Sequence, residues 1–82
     1  MSKIKMKVGQ SYELKINEQK IIAFAVLYGF ERGPNKEVYA IRIYEKHKDV
    51  EFPLEESTFD RWVKDGRISE ITPEKALMYA LS

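Results

Sequence analysis

The chain carries one histidine, His47, within EKHKDVE, where Glu45, His47, Asp49 and Glu51 recur at every second residue. On one face of a strand that spacing would offer four ligands to a divalent metal. The same segment reads as a charged turn, and a chain reversal there breaks the alternation a ligand set requires. Arg42, Lys46 and Lys48 stand nearby in sequence and repel a cation. No metal and no cofactor is expected.

Nucleophilic chemistry is equally poorly supplied. There is no cysteine, and Ser11, Ser57, Thr58 and Ser69 would all have to share His47 as their base. Ser57 and Thr72 have an alternative use as helix caps. Glu55 and Glu56 are adjacent, so on a strand they point apart and cannot work as an acid–base pair. The four glycines are isolated, and none belongs to a phosphate-cradling loop. No enzymatic activity is expected.

Binding chemistry is better represented. Tyr28, Arg42 and Tyr44 combine with Arg32, Lys36, Lys46 and Lys48 around two polar connections, RGPNK and EKHKD. In EVYAIRIY, Arg42 and Tyr44 share the face opposite Tyr39, Ile41 and Ile43, which places them on the exterior. A tyrosine beside a planar guanidinium suits a protein interface. With the lysines added, the same set could follow a single nucleic-acid strand. The acidic neighbours Glu31, Glu37 and Glu45 thin any positive field, and 14 basic against 13 acidic residues leave a net charge of only +1. The expected partner is therefore another protein or a second copy of this chain, with nucleic acid as the alternative.

The elements that must carry these residues follow from periodicity. KIKMKV puts Ile4, Met6 and Val8 opposite three lysines, and SYELKI puts Tyr12, Leu14 and Ile16 opposite Glu13 and Lys15. Both read as strands, with Gly9 as a kink between them. The run IIAFAVLYGF (21–30) has no charge at all. Its even positions, Ile22, Phe24, Val26, Tyr28 and Phe30, are bulky and are assigned to the core. The odd positions, Ile21, Ala23, Ala25, Leu27 and Gly29, are mostly small and leave a shallow apolar strip on the opposite face. In VEFPLE, Val50, Phe52 and Leu54 alternate inward, and Pro53 restricts the strand to an edge.

From ESTFDRWVKDG the period lengthens. Ser57 and Asp60 form an acidic variant of a capping box, Phe59, Trp62 and Val63 make a helical stripe, and Gly66 sits where a left-handed cap belongs. RISEI is a short strand. TPEKALMYALS offers Thr72 as N-cap, Pro73 at the first helical position, and an inner stripe of Leu77, Ala80 and Leu81. Packed with Ala76 against the small residues of the long strand, that stripe would cover the strip; otherwise Ile21 and Leu27, with Tyr44, remain as a sticky surface for a second copy or a different protein.

Residues 1–82 read as a single small, mainly β domain. The expected architecture is a curved antiparallel sheet or small barrel of five to six strands, with a short helix before the last strand and a helix at the C-terminus. In layout alone, the helical turn before the last strand resembles an SH3-like barrel. The uncharged run is about half the ~20 residues a membrane span requires, so no membrane association is expected. The lack of cysteine fits a cytoplasmic location. Lysine exceeds arginine by ten to four, as in coding from an AT-rich bacterial or phage genome, and a small accessory protein of such an origin fits either partner.

Overall fold

A computed structural model of the chain describes residues 4–31, 37–45 and 50–81. The elements are β1 (Ser11–Asn17), β2 (Lys20–Glu31), β3 (Glu37–Ile43), β4 (Glu51–Glu55), α1 (Glu56–Lys64), β5 (Ile68–Ile71) and α2 (Pro73–Leu81). The strands form one antiparallel sheet in the order β4-β3-β2-β1-β5. The first four run as a meander and β5 returns beside β1. The sheet is open, with β4 and β5 as its edges. Among the described residues no helix is long and apolar enough to cross a membrane.

Strand alternation sends large apolar residues to one face. Tyr12, Leu14, Phe24, Val26, Ile41 and Leu54 pack there with Phe59 of α1 and Met6, while Ile4, Ile43, Trp62 and Val63 close the margins. The stripe read at Phe59, Trp62 and Val63 is thus the inner side of α1. Three rings form the centre: Tyr12 meets Phe59 edge-on at 5.0 Å between centroids, Phe24 lies 5.7 Å from Tyr12, and Phe24 meets Phe59 perpendicularly at 6.5 Å. Edge-to-face contacts of this kind add to the stabilisation from burial.

Residues 3–8 were expected as a strand, but 4–7 form none. This stretch lies over the core by a different device. The Tyr12 hydroxyl donates to the Lys5 carbonyl at 2.7 Å and accepts from the Lys7 amide at 3.0 Å. Met6 is buried between those two anchors, and Gly9, at φ 88°, turns the chain into β1. Burial pushes the Tyr12 hydroxyl above its ordinary pKa, so it stays protonated and able to donate. Val8 and Ile16, expected inward, are exposed: Val8 lies in the turn before β1, and Ile16 is the residue passed over where the register of β1 against β2 shifts between Lys15 and Asn17.

The end of α1 sets the entry to β5. Arg67 N–H donates to the Trp62 carbonyl at 2.9 Å and Gly66 N–H to Val63 at 3.0 Å, with Gly66 at φ 74°. This is a Schellman closure, and it requires a left-handed residue at position 66. The start differs from expectation. Glu55 is the N-cap, in extended conformation, and its side chain makes no capping bond. Ser57 lies one residue inside the helix, its hydroxyl donating to Glu55 at 3.4 Å.

On the opposite face α2 packs on β1 and β2 through small residues. Ala23, Ile71 and Ala76 are buried together, with Tyr44 and Tyr79 beside them. Thr72 caps the helix as its sequence implied, its hydroxyl accepting from Lys75 N–H at 3.2 Å. The inner stripe is Ala76 and Tyr79 with part of Ala80. Leu77 and Leu81, expected to face inward, are 54% and 73% exposed. Two opposed alanines let helix and strand backbones approach closely, and Glu13 fixes the rotation. Its carboxylate accepts a hydrogen bond from the Tyr79 hydroxyl and pairs with Lys75 at 3.5 Å.

Two outcomes follow. Tyr12→Phe keeps the ring packing but strands the Lys5 carbonyl and Lys7 amide. It is expected to cost about 1–3 kcal/mol and to speed hydrogen exchange at Lys7, and an unchanged Lys7 exchange rate would refute the anchoring role. The Tyr79 hydroxyl is raised to about 12 by its bond to Glu13, then by burial. A raised folded-state pKa means that this bond supports stability fully below the ordinary value of 10.0 and loses that support as pH climbs through about 12. Monitoring the Tyr79 ring by NMR through an alkaline titration should show the midpoint fall toward 10.0 in Glu13→Gln.

Candidate binding surface

The register of β2 against β3 slips within the uncharged run. Val26 pairs with Ile41, but Tyr28 pairs with Ala40, so Leu27 is an extra residue in β2. Such a bulge inverts the facing of everything beyond it. Ile22, Phe24 and Val26 point to the α1 side as expected. Tyr28 and Phe30 do not: they share the α2 face with Ala40 and Val38, and are 50% and 41% exposed. The assignment of all five bulky positions to the core is corrected by one inserted residue.

These two rings make a surface. Their centroids lie 6.2 Å apart with planes tilted at 44°. Val38 and Ala40 of the neighbouring strand are almost fully buried, and Glu55 and Pro53 of β4 continue the same two rows. The helix α2 lies over the other half of this face, at Ala23 and Ile71. The strip behind β2 is therefore divided: α2 covers Ala23, while Ile21 stays exposed and Ala25 and Leu27 are half-buried.

The residues singled out in the sequence fall into three groups. Tyr28 belongs to this surface, and Arg42 is exposed one row nearer α2, in register with Ala25 and Glu51. Tyr44 shares the face but is half-buried against the Ala23–Ile71–Ala76 cluster, and its amide donates to the Ala23 carbonyl at 2.8 Å. Its role is to seat α2. Arg32, Lys36, Lys46 and Lys48 lie outside the described residues, as do His47 and Asp49 of the alternating metal pattern. Among the described residues no three histidine, cysteine or acidic side chains cluster as metal ligands.

Beside Phe30 the hairpin of β2 and β3 opens a cavity of about 200 Å³ lined by Gly29, Phe30, Glu37, Val38 and Tyr39. Gly29 pairs with Tyr39, whose ring lies against it; a Cβ at position 29 would fall 2.9 Å from the ring. The Tyr39 hydroxyl reaches Glu37 at 3.3 Å and Glu56 at 3.5 Å. A hydrogen bond with Glu37, then burial, lifts the Glu56 carboxyl above its ordinary range, with the charges of Glu37 and Asp60 adding to it. Burial first, then the same two glutamates, raises Tyr39. Two carboxylates from separate elements thus crowd one tyrosine.

Neither Phe30 nor the Glu37–Tyr39–Glu56 group stands out in the sequence. The available signal was Gly29 inside a strand, a residue that often marks a bulge. Val50 and Phe52 were likewise expected inward; only Leu54 of that set is buried, for Val50 precedes β4 and Phe52, opposite Ile41 on the edge strand, stays exposed. No protein-family model, curated protein or solved structure matches the chain.

Proposed function

We propose that this chain is a cytoplasmic, non-enzymatic binding module that engages another protein, or a second copy of itself, through the Tyr28–Phe30 face. The observation that carries the reading is the pair of half-exposed rings over the buried Val38 and Ala40, with Arg42 in the next row. Tyrosine and arginine are enriched among residues that dominate interface energies, and an apolar patch on a small domain marks a contact site. The absence of cysteine supports a reducing compartment.

The sheet edges support face-on contact in preference to strand addition. Pro53 contributes no amide, and within a strand it fits only where its nitrogen faces away from the neighbour. The outward row of β4 therefore lacks its middle donor. The other edge, β5, has 4 residues. Neither offers a long template for an added strand.

A second reading keeps the same residues. Two aromatic rings on an open sheet face with an adjacent arginine also form a platform on which bases stack. Glu51 and Glu55, in register with Arg42 and Val38, disfavour a phosphate backbone along β4. One set of measurements separates the two. Sedimentation and affinity capture are compared for the native chain, Tyr28→Ala and Arg42→Ala, alongside titration with single-stranded nucleic acid at several salt concentrations. Protein contact predicts a capture or self-association that Tyr28→Ala weakens by about 2 kcal/mol, roughly thirtyfold. Tight oligonucleotide binding with a steep salt slope that Arg42→Ala reduces by about one would instead establish the nucleic-acid reading.

A further inference from the structure

On the face that carries Tyr28 and Phe30, α2 makes a raised half and the uncovered strands make a recessed one. We propose that the occupant of this face is a second copy of the chain, with α2 of each copy seated in the recessed half of the other about a two-fold axis. This assignment rests on the reading of that face as a docking surface, and it names the partner and its orientation.

The course of α2 divides the face. Ala76 is buried with Ala23 and Ile71. Ala23 stands in one row with Glu13 and Ser69, and Ile71 stands in the next row with Ser11 and Ala25. The helix therefore crosses β1 and β2 between these two rows. On one flank Lys75 and Tyr79 reach Glu13. Leu77 and Leu81 each follow by two residues, about 200° further round the helix. They line the opposite flank, on the side of Ala25 and Tyr28. Beyond it, Arg42, Ala40 and Val38 mark three rows of β3 over roughly 14 Å, with Tyr28 and Phe30 beside the last two. A helix is about 10–12 Å across, so that width admits one.

Shape, area and charge select a second copy. The raised and recessed halves lie side by side, so a two-fold axis along their border places each helix in the other copy's recess. A patch that is its own complement is what an isologous interface requires. Leu77, Met78, Leu81, Tyr28 and Phe30 are all exposed large apolar residues on this face. Together they offer roughly 500 Å² of apolar surface, taking about half of the ~150–250 Å² of a large side chain for each. A stable interface takes about 800 Å² from each partner, about 65% of it apolar between identical chains, which is again roughly 500 Å². The outer stripe of α2 at Leu77, Met78 and Leu81 carries no charge, and a net charge of +1 leaves little repulsion between copies.

The test uses the full chain. Sedimentation equilibrium should give a dimer, and Leu81→Lys and Tyr28→Glu should each weaken its association roughly thirtyfold or more. An equimolar mixture of the two variants tests the crossed arrangement. In a mixed pair one of the two equivalent contacts is native and the other sets opposite charges together, so the mixture should regain dimers that neither variant forms alone. Isotope-filtered NOEs in a mixed-label sample of the native chain need no substitution. They should join the Leu77 or Leu81 methyls to the Tyr28 or Phe30 ring across copies. A dimer without those NOEs, a dimer that Leu81→Lys leaves intact, or folded variants whose mixture stays monomeric would overturn the proposal. A native chain that remains monomeric at NMR concentrations, while Tyr28→Ala abolishes capture of a different protein, would overturn the second copy and leave the docking surface standing. Indifference of every association to Tyr28→Glu would overturn both.

Discussion

A tyrosine with no solvent exposure stays in an apolar core only if its hydroxyl finds partners there, because an unpaired buried hydroxyl costs more than the ring contributes in excess of phenylalanine. Tyr12 meets that condition with the backbone of Lys5 and Lys7, and most of the fold depends on the result. Its ring contacts Phe24 on β2 and Phe59 on α1, so one side chain joins two strands, a helix and the leading segment. The leading segment needs no ladder of its own to close the core. A chain of 82 residues has little apolar surface to spare, and this arrangement uses Met6 and Ile4 as a lid without a sixth strand.

The two faces of the sheet are held by different physics. Aromatic and branched side chains fill the α1 side to a depth that excludes water. The α2 side relies on close approach of small residues, one half-buried hydroxyl–carboxylate contact and an ion pair of little energetic weight through the exposed Lys75. A helix seated through alanines covers a narrow footprint. The remainder of that face stays open over β2, β3 and β4, and there the rings of Tyr28 and Phe30 stand. The candidate surface results from how little area the α2 contact needs.

Much of the architecture was legible because it follows from local rules. Alternation placed Tyr39, Ile41 and Ile43 opposite Arg42 and Tyr44, Pro53 marked an edge, and Thr72, Pro73 and Gly66 bounded the helices where the structure has them. The errors share one cause. Periodicity reports where large residues recur but does not say which surface accepts them. Leu77 and Leu81 make the stronger stripe on α2, yet Ala23 admits Ala76. Phe30 reads as core by parity until a residue is inserted before it. Ser57 has capping chemistry, but the chain turns helical one residue earlier, at Glu56. The Glu37–Tyr39–Glu56 contact joins β3 to α1 across 17 residues, a separation at which spacing carries no signal.

Gly29 also acts as a key for strand alignment. Were the bulge erased with Leu27 kept, Leu27 would stand opposite Ala40 and Tyr28 opposite Tyr39, returning Tyr28 and Phe30 to core parity. A Cβ facing Tyr39 would fall 2.9 Å from its ring, so that alternative alignment requires the ring to be displaced. Excising Leu27 outright, by contrast, keeps Gly29 under Tyr39 and leaves both rings outside on an unbroken ladder. The hairpin therefore tolerates the loss of its extra residue but not its realignment. Over evolutionary time, a deletion at Leu27 would be nearly silent for the outer face, whereas exchanging Gly29 for a larger residue would unlock the alignment of the whole hairpin.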